Sequence, residues 1–406
     1  MLPGPSQIRV LGPLSAFAAG FADELARQGF TAHSVGCLMR LTAHLSRWLI
    51  GEGLDASDLG TAKIEQFLRV RRDAGYTDHL SVKAMQPLLR YLVGLGVVPP
   101  SPPSTPSGAV EEALEQYRNY LVIERGLGKG TARGYLDAVR PFLQTRLLAD
   151  GLTLDLAGLS AADVIAFVVA RCPQQGRSAA KLTVTALRSL LGFLHVGGVI
   201  ARSLVSAVPS VAYRRLAGLP KGLDTDQVRR LLSSCDRSTG NGCRDFAVLT
   251  MLVRLGLRAA EVSKLRLDDI DWRAGEIIVL GKANCTERLP LPADVGEAVA
   301  AYLHHGRPTS AQDRTVFVRI KAPHRALTSG GVTQIVAAAA RRADLGQIYA
   351  HRLRHTAATQ MLRAGASLPE IGQLLRHRRA MTTAIYAKVD RDALRTIARP
   401  WPGDAA

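Results

Sequence analysis

Between Val98 and Gly108 the chain reads V-P-P-S-P-P-S-T-P-S-G, and this stretch limits the fold more than any other. Each proline fixes φ and lacks an amide donor, so five of them among serine and threonine cannot pack as helix. A segment of this composition stays extended and acts as a spacer. The chain must therefore fold in parts on either side of it. With 406 residues it is long enough for two to four domains, and 47% hydrophobic content supports real cores.

The parts flanking the spacer read alike. Before it, apolar residues at helical spacing mark segments 14–28, 31–51, 63–74 and 80–95. After it, residues 109–212 repeat the plan about 100 positions later. D-L-A-G-L-S-A-A-D-V-I-A-F-V from Asp155 parallels A-S-D-L-G-T-A-K-I-E-Q-F-L from Ala56. L-R-S-L-L-G-F-L-H-V-G-G-V-I from Leu187 parallels A-M-Q-P-L-L-R-Y-L-V-G-L-G-V-V from Ala84. A duplicated four-helix module is the expectation. The segments are then 1–98 for the first module, 99–108 for the spacer and 109–212 for the second module. Residues 213–222 form a basic linker with Arg214, Arg215 and Lys221, followed by a domain over 223–399 and a tail over 400–406.

That last domain mixes patterns. Asp224 or Thr225 caps a helix over 226–233, and Cys243–Leu257 is a mostly apolar helix followed by Arg258 and a short helix over 261–265. Strands are expected at Glu276–Leu280 and Glu287–Leu291 with Lys282 in the turn, then helices over 293–304 and 331–343. From Ala350 the chain runs A-H-R-L-R-H-T-A-A-T-Q-M-L-R-A-G, which sets His351, Arg354, His355, Ala358 and Leu362 on one helix face. Gly365 stops that helix, and Ser367-Leu-Pro-Glu370 starts another that reaches His377, with Tyr386 nine residues on. Two imidazoles, a guanidinium and a phenol in a basic setting suit an anion, and a phosphodiester is the natural occupant.

H-R-L-R-H-T-A-A-T, L-L-R-H and T-T-A-I-Y resemble the C-terminal signature of the tyrosine recombinase (phage integrase) family. G-L-R-A-A-E at 256–261 resembles that family's first arginine motif, and E-I-I-V-L-G-K-A-N-C-T-E-R-L-P-L-P its lysine hairpin. Six positions stand in order over some 130 residues: Arg258, Lys282, His351, Arg354, His377 and Tyr386. The family usually has glycine before the second histidine, whereas this chain has Arg376, a difference that bears on the local turn and not on the histidine. The resemblance implies a mainly α fold, with tandem helical SAM-like DNA-binding domains before a mixed α+β catalytic domain carrying a small β-hairpin sheet.

It also implies roles. Arg258 and Arg354 are expected to bracket a scissile phosphate as planar bidentate donors. Tyr386 is the expected nucleophile and His351 the acceptor of its proton. Lys282 is expected to protonate the departing 5′ oxygen, and His377 to hydrogen-bond the phosphate. Glu261 and His355 orient the helices that carry Arg258 and His351. The implied cycle passes through a 3′-phosphotyrosine with no cofactor and no metal. Its partners are double-stranded DNA, further copies of the chain in a synaptic tetramer, and accessory or sister recombinases; Asp390–Ile397 is the candidate helix for packing on a neighbouring subunit. An integrase or transposase of a mobile element is the expected role. The alternatives are a type IB topoisomerase and a DNA-binding accessory protein without cleavage.

Charge agrees with a polyanionic partner. The net charge is +18, and residues 341–399 hold 12 Lys/Arg against 4 Asp/Glu, while residues 1–108 hold 10 against 8. The first module's near-neutral balance argues against a strong DNA role of its own. His351 and His355 at i, i+4 resemble a zinc helix, but Arg352 stands where H-E-x-x-H needs glutamate. Cys37, Cys172, Cys235, Cys243 and Cys285 lack C-x-x-C spacing and read as small buried residues of a reducing compartment. No apolar run is long enough to span a membrane, and the N-terminus lacks the order of a signal peptide, so a cytoplasmic, nucleoid-associated bacterial protein is expected.

Overall fold

The computed structural model describes residues 8–100, 108–211, 222–281, 286–376 and 383–389. The chain divides into two compact units, residues 101–217 and the remainder. The expected spacer, basic linker, C-terminal helix and tail fall largely or wholly outside the described residues, as do Lys282, Cys285 and His377.

Residues 8–100 form four helices, α1 (Ser15–Arg27), α2 (Ala32–Glu52), α3 (Thr61–Asp73) and α4 (Val82–Gly94), around a core of its own that includes Phe21, Leu45, Ile64, Leu88 and Leu92. Thr31 starts α2 by accepting the Ser34 amide, as an N-cap does. In the second unit, α5 (Ala109–Asn119), α6 (Lys129–Gln144), α7 (Ala161–Arg171) and α8 (Arg177–Val196) enclose Tyr117, Phe142, Val164, Leu187 and Leu194. The two modules close on the same turn. The Val97 and Val98 amides donate to the Leu92 carbonyl past Gly96 at φ +72°. The Val199 and Ile200 amides donate to the Leu194 carbonyl past Gly198 at φ +70°. In each case the residue after the turn, Val98 or Ile200, is buried in its module's core. Gly96 and Gly198 thus share one conformational task, since positive φ costs glycine nothing.

From Leu223 a third apolar core is built on α10 (Gly240–Arg254), which is buried along most of its length. Around it stand α9 (Thr225–Ser233), α11 (Ala259–Lys264), α12 (Ala293–Ala301), α13 (Ser329–Arg342) and α14 (Ala350–Arg363). Asp224, not Thr225, caps α9, accepting the Gln227 amide at 2.8 Å while Gln227 returns a bond to the Asp224 amide. The helix expected over 243–257 instead runs 240–254: Thr239 caps it three residues earlier, and Gly256 in the left-handed region ends it.

The expected hairpin is a three-stranded antiparallel sheet in the order β1 (Ile270–Asp271), β2 (Glu276–Leu280), β3 (Thr286–Pro290). Ile277 pairs with Leu289 and Val279 with Glu287, so alternate residues of β2 are buried. The second strand lies one residue earlier than expected. The helix expected to reach His377 is shorter too: α15 (Leu368–Leu374) stops because Arg376 adopts φ +54°. Ser367 and Glu370 form the capping box that starts it. Cys235 and Cys243 are buried as expected, whereas Cys37 and Cys172 are only half-buried. Among the described residues no helix is long and apolar enough to cross a membrane.

Candidate active site

After α10 the chain turns through Gly256 at φ +57°, where a Cβ would lie 2.6 Å from Leu375 Cδ2 and 3.3 Å from Ala357 Cβ. Only glycine satisfies both the dihedral and the space. The turn brings Arg258 to the start of α11. There Glu261, in the first helical turn, accepts the Arg258 amide at 2.8 Å and Arg258 Nη1 at 2.5 Å. Arg258 Nη2 also donates to the Arg376 carbonyl at 3.2 Å. Glu261 is 4% exposed. Burial alone would raise its pKa, but the Arg258 amide and the charges of Arg376 and Arg258 outweigh that and hold the carboxyl below its ordinary value.

Arg354 sits on α14, one turn from His351, and is 2% exposed. Its Nη1 donates to the Gly256 carbonyl at 2.6 Å and its Nη2 to the Leu375 carbonyl. These bonds hold the turn after α10 and the end of α15 to α14. Burial, then the neighbouring Arg258 and Arg376, lower its pKa to about 10, so it keeps its charge at neutral pH. The start of the domain is fastened to the same helix by the Leu223 amide, which donates to Thr356 Oγ1 at 2.8 Å.

Tyr386 lies in a short 3₁₀ segment over Ala384–Val389 and is 2% exposed, packed with Ala358, Ile371 and Leu375. Its hydroxyl lies 2.9 Å from Nδ1 of His355. Burial raises the phenol to about 12, against the lowering pull of Arg354. Burial, then His351 and Arg354, lowers His355 to about 4. The imidazole is thus neutral, and in the tautomer protonated at Nε2 its Nδ1 can accept the phenol hydrogen. His351, at the solvent-exposed edge of the site, meets His355 edge to face with ring centroids 4.6 Å apart. Its pKa is lowered by desolvation first, then by Arg354 and Arg258.

Of the eight residues expected from the sequence, six are described and drawn together here: Arg258, Glu261, His351, Arg354, His355 and Tyr386. Lys282 belongs to the connection between the paired Leu280 and Thr286, outside the described residues, as is His377. Two features were not read from sequence. His355, expected to orient a helix, faces the tyrosine hydroxyl. Arg376, noted only as a departure from glycine, is buried and pairs with Glu261 at 2.8 Å. Its one sequence signal was that departure. Among the described residues no group of three or more His, Cys, Asp or Glu is placed to hold a metal ion.

Residues 221–392 match the family model described as phage integrase family, and residues 114–196 that described as phage integrase, N-terminal SAM-like domain. A putative integrase/recombinase, y4rA, of Sinorhizobium fredii is 42% identical over 401 residues, spanning 97% of this chain and 96% of that protein. The tyrosine recombinase XerD of Listeria monocytogenes is 31% identical over 293 residues, 71% of this chain and 97% of XerD. Among solved structures, a lambda integrase tetramer bound to a Holliday junction matches with a TM-score of 0.54 at 17% identity, covering 81% of this chain and 90% of that one. The last likeness concerns the fold alone.

Proposed function

The chain belongs to the phage integrase family of tyrosine recombinases, and from that premise we propose that it is a site-specific recombinase cutting and rejoining DNA through Tyr386. The observation that carries the assignment of roles is the Tyr386 hydroxyl, held 2.9 Å from a neutral His355 in a site that also contains Arg258 and Arg354.

In this reading Tyr386 Oη attacks the scissile phosphorus, and the bond to the 5′ oxygen breaks. The phosphate stays on the 3′ side as a tyrosine ester, and the 5′ oxygen leaves as a hydroxyl. Arg258 and Arg354 stabilise charge developing on the non-bridging oxygens. A 5′-hydroxyl of the partner strand then attacks the ester and releases Tyr386, so one phosphoester is exchanged for another. From the motif alone, the expected proton acceptor is His351. The contact with Tyr386 supports His355 as the first acceptor, with His351 edge to face against it. Burial raises the phenol and lowers the imidazole, so moving the proton between them ahead of attack is disfavoured. Proton transfer therefore accompanies attack instead of preceding it, under the field of the arginines. Lys282 as the acid for the 5′ oxygen and His377 as a phosphate ligand complete the reading from sequence.

Burial of Tyr386 among Ala358, Ile371 and Leu375 means that the 3₁₀ segment must shift for Oη to reach a phosphate. The 42% identity to a relative named integrase/recombinase, along nearly the whole chain, supports a mobile-element role. Two duplexes each cut on both strands require four active sites, which supports a synaptic tetramer on DNA, and a DNA substrate supports a cytoplasmic, nucleoid-associated location. The first helical module remains an added arm whose near-neutral charge favours a protein contact over DNA.

The test is covalent trapping. The protein is incubated with DNA flanking its own gene, denatured in SDS without magnesium, and examined for protein-linked 3′ ends. Adducts on particular fragments, absent in Tyr386→Phe although that variant still retards the DNA, are expected. Adducts on every fragment would indicate a relaxing topoisomerase, and retardation without adducts a binding protein.

A further inference from the structure

Arg376 carries three costs that a residue serving only to end a helix would avoid. Its backbone lies at φ +54°, a region that disfavours side chains with a Cβ. Its guanidinium is buried, with 3% of the side chain exposed. Its Nε has no hydrogen-bond partner among the described residues. Such costs gather where the surrounding structure uses the residue. The contacts indicate the use. Nη2 donates to Glu261 Oε2 at 2.8 Å, and Nη1 donates to the Leu374 carbonyl at 2.9 Å. Its own carbonyl accepts Nη2 of Arg258. Arg258 thus meets Arg376 twice, directly through that carbonyl and indirectly through the shared carboxylate.

Charge explains why the sharing matters. A buried carboxylate with a single guanidinium neighbour would pair with it fully, cancelling the charge that a phosphate must meet. With two guanidinium groups on Glu261, the trio keeps a net positive charge. Arg258, 36% exposed, is the member placed to offer it, while Arg376 is enclosed. We propose that Arg376 is a positioning residue for Arg258: it takes up half of the Glu261 carboxylate and fixes the guanidinium plane through its left-handed carbonyl, leaving Arg258 free to bind the scissile phosphate. The inference rests on the recombinase reading above, because it assigns Arg258 a phosphate to hold.

The proposal makes an unusual demand: the defect caused by removing Arg376 must be relieved by removing the charge of Glu261 as well. Cleavage rates are measured by adduct formation on a DNA fragment trapped by the parent, alongside DNA affinity and thermal midpoint, for Arg376→Met, Arg376→Lys, Glu261→Gln and Arg376→Met with Glu261→Gln. Arg376→Met is expected to slow cleavage on the order of 100-fold, the scale of a misplaced catalytic group, with DNA affinity little changed. Arg376→Lys, which keeps the charge but not the fork, falls between it and the parent. The double variant recovers at least tenfold over Arg376→Met. A folded Arg376→Met protein cleaving at the parental rate overturns the proposal. So does a double variant no faster than Arg376→Met, folded or not, since that leaves Arg376 a packing role only. A parent that forms no Tyr386-dependent adduct removes the recombinase reading and this inference together, which separates the two failures.

Discussion

His355 is the residue whose environment makes the sharpest statement. Its ordinary value is near 6.5 and its folded value about 4, so as pH falls the unfolded chain takes up a proton that the native imidazole refuses. The stability contributed by the neutral ring is complete above pH 6.5 and lost between 6.5 and 4, amounting to roughly 2 kcal/mol at pH 5. Thermal midpoints measured from pH 7.5 to 5 should therefore fall for the parent, and less steeply for His355→Gln. Parallel curves would show that His355 is not the group responsible. The same low value keeps the ring neutral at physiological pH. A site built on histidines alone would not have this preset protonation, which comes from burial beside His351 and Arg354.

Among the elements, the turn between α10 and α11 is tightly constrained. Gly256 combines φ +57° with a 2.6 Å approach of any Cβ to Leu375, and its carbonyl is a partner of Arg354. Gly256→Ala should cost about 2–4 kcal/mol, combining left-handed strain with overpacking. Because the turn also sets Arg258, cleavage should fall further than stability alone accounts for. Comparing denaturant midpoints with adduct yield at a temperature where the variant stays folded checks both; a variant as stable as the parent would contradict the crowding seen here. The end of α15 belongs to the same joint, since Arg354 holds Leu375 while Arg376 turns the backbone out of the helix.

At the scale of the whole chain, the apolar residues fall into separate clusters, with Leu92 fully enclosed in the first and Leu194 in the second. Truncating Leu92 to alanine should cost about 2–5 kcal/mol within its own module. Hydrogen exchange should then quicken across residues 8–100 while residues 108–211 keep their protection. Loss of protection in both would mean the cores are coupled. The candidate site residues lie on or next to α11, on α14 and on the 3₁₀ segment, outside both helical modules.

The sequence by itself determined the helical segments, the hairpin and the family, because these rest on local signals: apolar period, proline and glycine punctuation, and short motif spacings. It placed β2 at its observed bounds, and Glu261, His351, Arg354, His355 and Tyr386, singled out by spacing and motif, lie together in the structure. It set the ends of α10 and α15 three residues too late, and it could not show which histidine lies against the tyrosine hydroxyl. Those outcomes depend on contacts between residues far apart in the chain, such as Gly256 against Leu375, Arg376 on Glu261, and Tyr386 on His355. Helical spacing sets both histidines on the same face of α14, so only the packing of the 3₁₀ segment could select His355. Only the fold, likewise, could show that an arginine in a glycine's place finds a carboxylate 115 residues away in sequence. Local periodicity cannot register a partner that the chain reaches only after it has folded.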